Sequence, residues 1–118
     1  MEPRLKIYMR ANRLKWGITQ AELAYLLGLK TGSVVSRIER VKRQPGVMVV
    51  LACQVIFGTM PIELLPGHFS DIEDAVMRRV HEMDKKFKSK SSPKNKAKQL
   101  LLKDIVERAA SRHDPKGL

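Results

Sequence analysis

An all-α fold is what this sequence predicts, on three observations. Apolar residues recur at three- and four-residue steps through most of the chain. Glycine and proline punctuate it at intervals and do not mark out the regular turns of an all-β protein. Two segments carry complete helix-start signals. No fixed-period repeat is present, and a chain of 118 residues suits one domain with an appendage, since domains commonly run about 100–150 residues.

The first helix follows from Ile7, Tyr8, Ala11 and Leu14, with basic residues between them, and Gly17 stops it by accepting a left-handed cap at little steric cost. Trp16, at its end, reads as a packing residue. In "ITQAELAYLLG" the Thr19 side chain can accept from the Glu22 amide while the Glu22 carboxylate reaches back to the Thr19 N–H, which is a capping box. Ile18 and Leu23 hold the staple positions, and Leu23, Leu26 and Leu27 form a stripe expected inside, ended by Gly28. The segment "TGSVVSRIERVKRQP" predicts the third helix. Residues at 100° intervals place Val34, Val35, Ile38 and Val41 on one side and Ser33, Ser36, Arg37 and Arg40 on the other. The first side must pack on the preceding helices. The second offers short hydroxyls and guanidinium groups, which suit a nucleic-acid groove: small residues allow close approach, and Arg bonds a guanine edge or a phosphate. An ordinary exposed helix face prefers Glu and Lys at i,i+4, and Glu39 is this helix's only acid.

The fourth helix, Gly46 to Phe57, places Val47, Val50, Leu51 and Phe57 at core positions, while Met48, Val49, Ala52, Val55 and Ile56 extend the apolar band around it. Such a band means burial on more than one side. After Pro66-Gly67, "SDIEDAVMRRVHEMDKKF" has a second capping box, Ser70 with Glu73, and Ile72, Val76, Val80, Met83 and Phe87 at helical steps. It predicts a helix over about 70–88 that either folds back on the fourth helix or serves as a dimer arm. "KSKSSPKNKAK", Lys88 to Lys98, has the composition of a flexible linker able to lie along phosphates. A last helix, about 97–112, follows from Leu101, Leu102, Ile105, Val106 and Ala109. Two regions result, a domain over 1–66 and a helical extension over 67–118.

Charge is unevenly distributed within the net +11. Met1 to Pro45 holds ten Lys/Arg and three Asp/Glu, Gly46 to Asp84 two and six, and Lys85 to Leu118 eleven and three. A basic front suits a polyanion partner, because Lys and Arg displace counterions from phosphates. A single cysteine, Cys53, excludes an intramolecular disulfide and reads as a small buried hydrophobe. The N-terminus lacks a signal-peptide pattern and the longest apolar stretch is too short to span a bilayer, so no membrane association and a cytoplasmic location are expected. His68, His81 and His113 are scattered without metal-ligand spacing. The acids Asp71, Glu73 and Asp74 are explained by a first helical turn, and no phosphate loop or nucleophile elbow appears. The chain is expected to be no enzyme and to need no metal or cofactor.

The runs "RANRLKWGITQAELAYLLGL" and "VVSRIERVKRQP", with the spacing from Pro45 to Leu64-Leu65, resemble the XRE-like helix-turn-helix family of phage repressors and Cro proteins over roughly Leu5 to Leu65. The resemblance implies a five-helix, lambda-repressor-like domain reading the major groove of double-stranded DNA with its third helix. It implies a phosphate contact by Gln20 at the positive end of the second helix, and a recognition helix that begins at Lys30, Thr31, Gly32 and Ser33 and continues through Ser36 and Arg37. Arg40, Lys42 and Arg43 would form a basic loop on the phosphate backbone, and Arg13 with Glu39 an ion pair tying the first helix to the third. Between Gly28 and Glu39 this chain is one residue longer than the common pattern. Val41 stands where the family usually has a left-handed Gly. A β-branched residue is ill suited to positive φ, so the third helix is expected to run on and break near Gln44-Pro45.

The function so implied is sequence-specific transcription regulation, most simply repression, by a homodimer reading two half-sites. The alternative is an antitoxin-like or other protein-interaction subunit, whose C-terminal helices engage a protein partner and whose DNA binding is secondary. RNA binding is weaker than either, since the third helix lacks exposed aromatics for stacking.

Overall fold

Local capping chemistry sets the first helix boundaries. In the computed structural model, which describes residues 6–90 and 92–114, the Thr19 Oγ1 accepts from the Glu22 N–H at 3.0 Å and the Thr19 N–H donates to Glu22 Oε1 at 2.8 Å. The described residues are all-α, with no strand among them. The helices are α1 (Met9–Lys15), α2 (Gln20–Leu27), α3 (Gly32–Glu39), α4 (Val47–Phe57), α5 (Pro61–Leu64), α6 (Pro66–Ser89) and α7 (Pro93–Arg112).

Helices α1, α2 and α3 end in the same way. In each, the residue after the last turn takes a left-handed conformation, and two N–H groups fold back on the final carbonyls as in a Schellman motif. At α1 these are Gly17 to Leu14 O and Ile18 to Arg13 O; at α2, Gly28 to Tyr25 O and Leu29 to Ala24 O; at α3, Val41 to Ile38 O and Lys42 to Arg37 O. Gly17 and Gly28 fill that position as expected, with φ of 70° and 76°. Val41 fills it at φ 58° and is the one described non-glycine residue at positive φ. This corrects the expectation of a longer third helix. The two back-folded bonds and the half-buried Val41 side chain outweigh a backbone strain of about 1–3 kcal/mol.

By its internal contacts the chain divides inside α6 into Met1–Ser70 and Asp71–Leu118. In the first unit the core gathers Ile7 and Met9, Leu23 and Ala24 of α2, Val35 and Ile38 of α3, Val49 and Cys53 of α4, and Leu64. Three expected faces are rotated. Tyr8, Ala11 and Leu14 are exposed while Met9 is fully buried, because the inner side of α1 passes through Arg13. Leu26 is exposed, leaving Leu23 and half-buried Leu27 to carry the inner face of α2. On α4, Val49 and Cys53 are inside and Val47, Met48, Leu51 and Val55 outside; a helix apolar all round has no polar face to fix its phase. Burial raises the Cys53 thiol pKa to about 11, so it is neutral and unreactive at physiological pH.

In the second unit, α6 and α7 form an antiparallel hairpin. Glu73 meets Arg112 (2.8 Å) and His113, and nearer the turn Lys98 Nζ stands 5.6 Å from the Phe87 ring centre. Val80, Leu102 and Ala109 are its buried apolar residues among those described. The expected Ser70–Glu73 box does not form. Pro66 starts the helix, the Phe69 N–H already bonds Leu65 O at 2.9 Å, and Ser70 is interior. The expected linker is also replaced by structure: α6 runs to Ser89 and α7 begins at Pro93, where the Ser92 side chain caps the Asn95 N–H at 3.1 Å. No described helix is long and apolar enough to cross a membrane.

Candidate nucleic-acid interface

The placement of α3 depends on a buried polar node. Glu39, at the end of α3, accepts from Arg13 Nε at 2.8 Å and Nη2 at 3.1 Å, and from Gln20 Nε2 at 3.1 Å. Arg13 Nη1 also donates to Ile18 O at 3.0 Å. Four hydrogen bonds thus engage the guanidinium and the carboxylate, as a charge pair held out of water requires. The bond to Glu39 holds the Arg13 pKa above its ordinary value, against the opposing effect of burial. The Arg13–Glu39 pair read from the sequence is therefore present, and it joins α1, α2 and α3 in one network.

Gln20, expected at a phosphate, has its amide turned into this node. The N-terminus of α2 is closed further by the Thr19–Glu22 box, which places a carboxylate in its first turn. Gly32 has a different role from the one expected. A Cβ there would stand 3.0 Å from Ala21 N and 3.2 Å from Gln20 C, so Gly32 is where the start of α3 touches the start of α2. The glycine lets two backbones approach at the turn, and its contact is with protein.

The remaining expected residues lie on the outer side. Lys30, Thr31, Ser33, Arg37, Arg40, Lys42 and Arg43 are exposed and Ser36 is half-buried, while Val35, Ile38 and Glu39 are buried beneath them. Thr31 Oγ1 and Ser33 Oγ lie 2.7 Å apart. No side chain caps the N-terminus of α3, and the Val34 N–H bonds Thr31 O at 3.4 Å. Among the described residues none of Lys30, Arg37, Arg40, Lys42 and Arg43 forms an ion pair. Five cations without counter-ions on and beside one short helix make an anion-attracting surface.

Exposed apolar residues were missed by sequence reasoning. Trp16 is 65% exposed, with Lys15 Nζ 5.4 Å from its ring centre, and Tyr25 is 83% exposed. Tyr25 and Leu26 border a shallow depression with Ile18, Ala21 and Glu22. Residue spacing alone places Leu23, Leu26 and Leu27 in one inward stripe and gives Tyr25 no position, whereas Leu26 and Tyr25 both face outward. No group of three or more His, Cys, Asp or Glu side chains able to hold a metal occurs among the described residues.

Comparison with known proteins gives no match to a family model, to a curated protein or to a solved structure.

Proposed function

We propose that the chain is a sequence-specific, double-stranded-DNA-binding transcriptional regulator of the XRE-like helix-turn-helix kind, acting most simply as a repressor. One observation carries this reading: the outer side of α3 offers Ser33, Ser36 and Arg37, flanked by Lys30, Arg40, Lys42 and Arg43, none of these cations ion-paired among the described residues, while its inner side is locked to α1 and α2 through Glu39. Short hydroxyls let the helix lie close to base edges, and Arg37 supplies the fork that bonds guanine O6 and N7. Arg40, Lys42 and Arg43 position the helix on phosphates without reading sequence. A second copy would cover the exposed Val47, Met48, Leu51 and Val55 of α4 and present two such helices to two half-sites.

Selection from random duplex DNA at near-physiological salt tests this. An enriched inverted repeat, with preference lost in Arg37→Ala, is the expected outcome. A bound pool without any motif would show that the charge acts without base readout, and would refute the reading.

The second reading, an antitoxin-like protein-interaction subunit, draws on α7, where Leu100 and Leu101 are 64% and 55% exposed. It predicts a protein complex that survives Arg37→Ala with duplex binding unchanged.

A further inference from the structure

The turn between α6 and α7 carries more charge than its fold can use. From Lys85 to Lys103 the sequence holds eight lysines and no acid. Those at the end of α6 have an ordinary explanation, because cations favour the negative end of a helix dipole. Those at the start of α7 do not. Lys94, Lys96 and Lys98 lie in its first two turns, where the dipole opposes cations, and no acid is present in the first turn to offset them. Mutual repulsion adds to this, because Lys94 and Lys98 are i,i+4 neighbours on α7 and like charges at that spacing are unfavourable. Neighbouring carboxylates take up Lys85 (Glu82, 3.7 Å), Lys88 (Asp84, 3.2 Å) and Lys103 (Glu107, 4.0 Å). Lys86, Lys90, Lys94, Lys96 and Lys98 make no ion pair among the described residues.

This segment is also built. Ser89 Oγ donates to Lys86 O at 2.8 Å, Asn95 Nδ2 donates to Lys90 O at 2.6 Å, and Ser92 caps Asn95 at 3.1 Å. The cations are thus held on a structured tip. We propose that this tip is a second, sequence-independent contact with the phosphate backbone of duplex DNA, made by Lys86, Lys90, Lys94, Lys96 and Lys98. A duplex offers about one phosphate charge per 1.7 Å of its axis, dense enough to engage several lysines at once. Single-stranded nucleic acid fits less well, because its binders stack bases on open aromatic rings. Here Phe87 is half-buried and has Lys98 over it. A lipid surface fits less well too, since among the described residues from Lys86 to Lys98 no large apolar side chain is exposed to insert. The proposal deepens the reading of the chain as a duplex binder, and adds to α3 a contact that supplies affinity without specificity.

The test uses the full chain and a random-sequence duplex, with Kd measured across a salt series for wild type, for the combined variant Lys90→Gln, Lys94→Gln, Lys96→Gln and Lys98→Gln, and for Arg37→Ala with Arg40→Ala. Circular dichroism checks that helicity is retained, and the four Lys→Arg changes provide a charge-retaining control. The expected result is a slope of log K against log salt shallower by roughly 3–4 in the glutamine variant, restored in the arginine variant, with the order of preference among duplex sequences unchanged. Wild-type slope and affinity in the glutamine variant would overturn the proposal. So would loss of binding to anionic phospholipid vesicles with duplex binding untouched. If the α3 variant keeps the wild-type order of preference among selected duplexes while the tip variant loses affinity, the base-reading role of α3 falls and the tip stands; the reverse pattern removes the tip alone. A wild-type chain that binds no duplex refutes both.

Discussion

The α1–α5 unit and the α6–α7 hairpin are both helical and both basic, but their charged groups are arranged in opposite ways. In the first, Arg13 and Glu39 lie inside, bonded to each other, with Gln20 donating to Glu39, and they join three helices around a core of nine buried apolar residues among those described. In the second, Val80, Leu102 and Ala109 are the buried apolar residues described, Glu73 closes one end with Arg112 and His113, and unpaired lysines crowd the other. A buried, hydrogen-bonded ion pair fixes the orientation of α3 against α1 and α2. A thin core with charge at its ends leaves the hairpin with less apolar support for its own fold.

The largest test of this contrast is Glu39→Gln. It leaves the Arg13 guanidinium buried without a counter-charge, so a loss of about 3–5 kcal/mol is expected in urea unfolding. A loss below about 1 kcal/mol would show that the node behaves like a surface pair. Leu102→Ala is next. Truncating a buried leucine costs about 2–5 kcal/mol, and here few buried neighbours remain. Amide exchange along α7 is expected to rise towards that of an isolated helix, while α2 and α3 stay protected; unchanged α7 protection would mean that the hairpin has support beyond Val80 and Ala109.

Val41→Gly sharpens the comparison within the first unit, as Gly28 holds the same cap position without strain. Removing the β-branched side chain from left-handed backbone should stabilise by about 1 kcal/mol, less what its half-buried contacts supply. A thermal midpoint lower than that of wild type would mean that packing by Val41 exceeds the strain. The smallest effect belongs to Glu73. Hydrogen bonds from His113 and then Arg112 lower its pKa below the ordinary 4.5, so the unfolded chain binds its proton first as pH falls. The stability it adds is complete above that ordinary value and is lost as pH drops through the folded one. Hairpin stability in wild type should fall more steeply below pH 4.5 than in Glu73→Gln, with no difference in slope at neutral pH.

Features written in a few adjacent residues were legible before the structure. The Thr19–Glu22 box, the Gly17 and Gly28 caps and the outward Ser33, Arg37 and Arg40 need only helix geometry. Long-range competition was not legible. Ser70 with Glu73 has the pattern of the Thr19 box, but Pro66 starts the helix earlier and Glu73 finds partners about forty residues away. Gln20 and Gly32 look outward in sequence and are claimed by Glu39 and by the α2 backbone, because the α2–α3 approach is set by neither helix alone. Val41 argued for a longer helix on local grounds, and the back-folded bonds of Lys42 and Val41 decided otherwise.

Trp16 leaves a practical legacy for these experiments. It is the chain's single tryptophan and lies at the surface beside Lys15, so its emission in the folded protein is expected near that of indole in water. Intrinsic fluorescence will respond weakly to denaturation. It will respond more strongly, by a blue shift, to anything that docks over the corner between α1 and α2 and dries the ring.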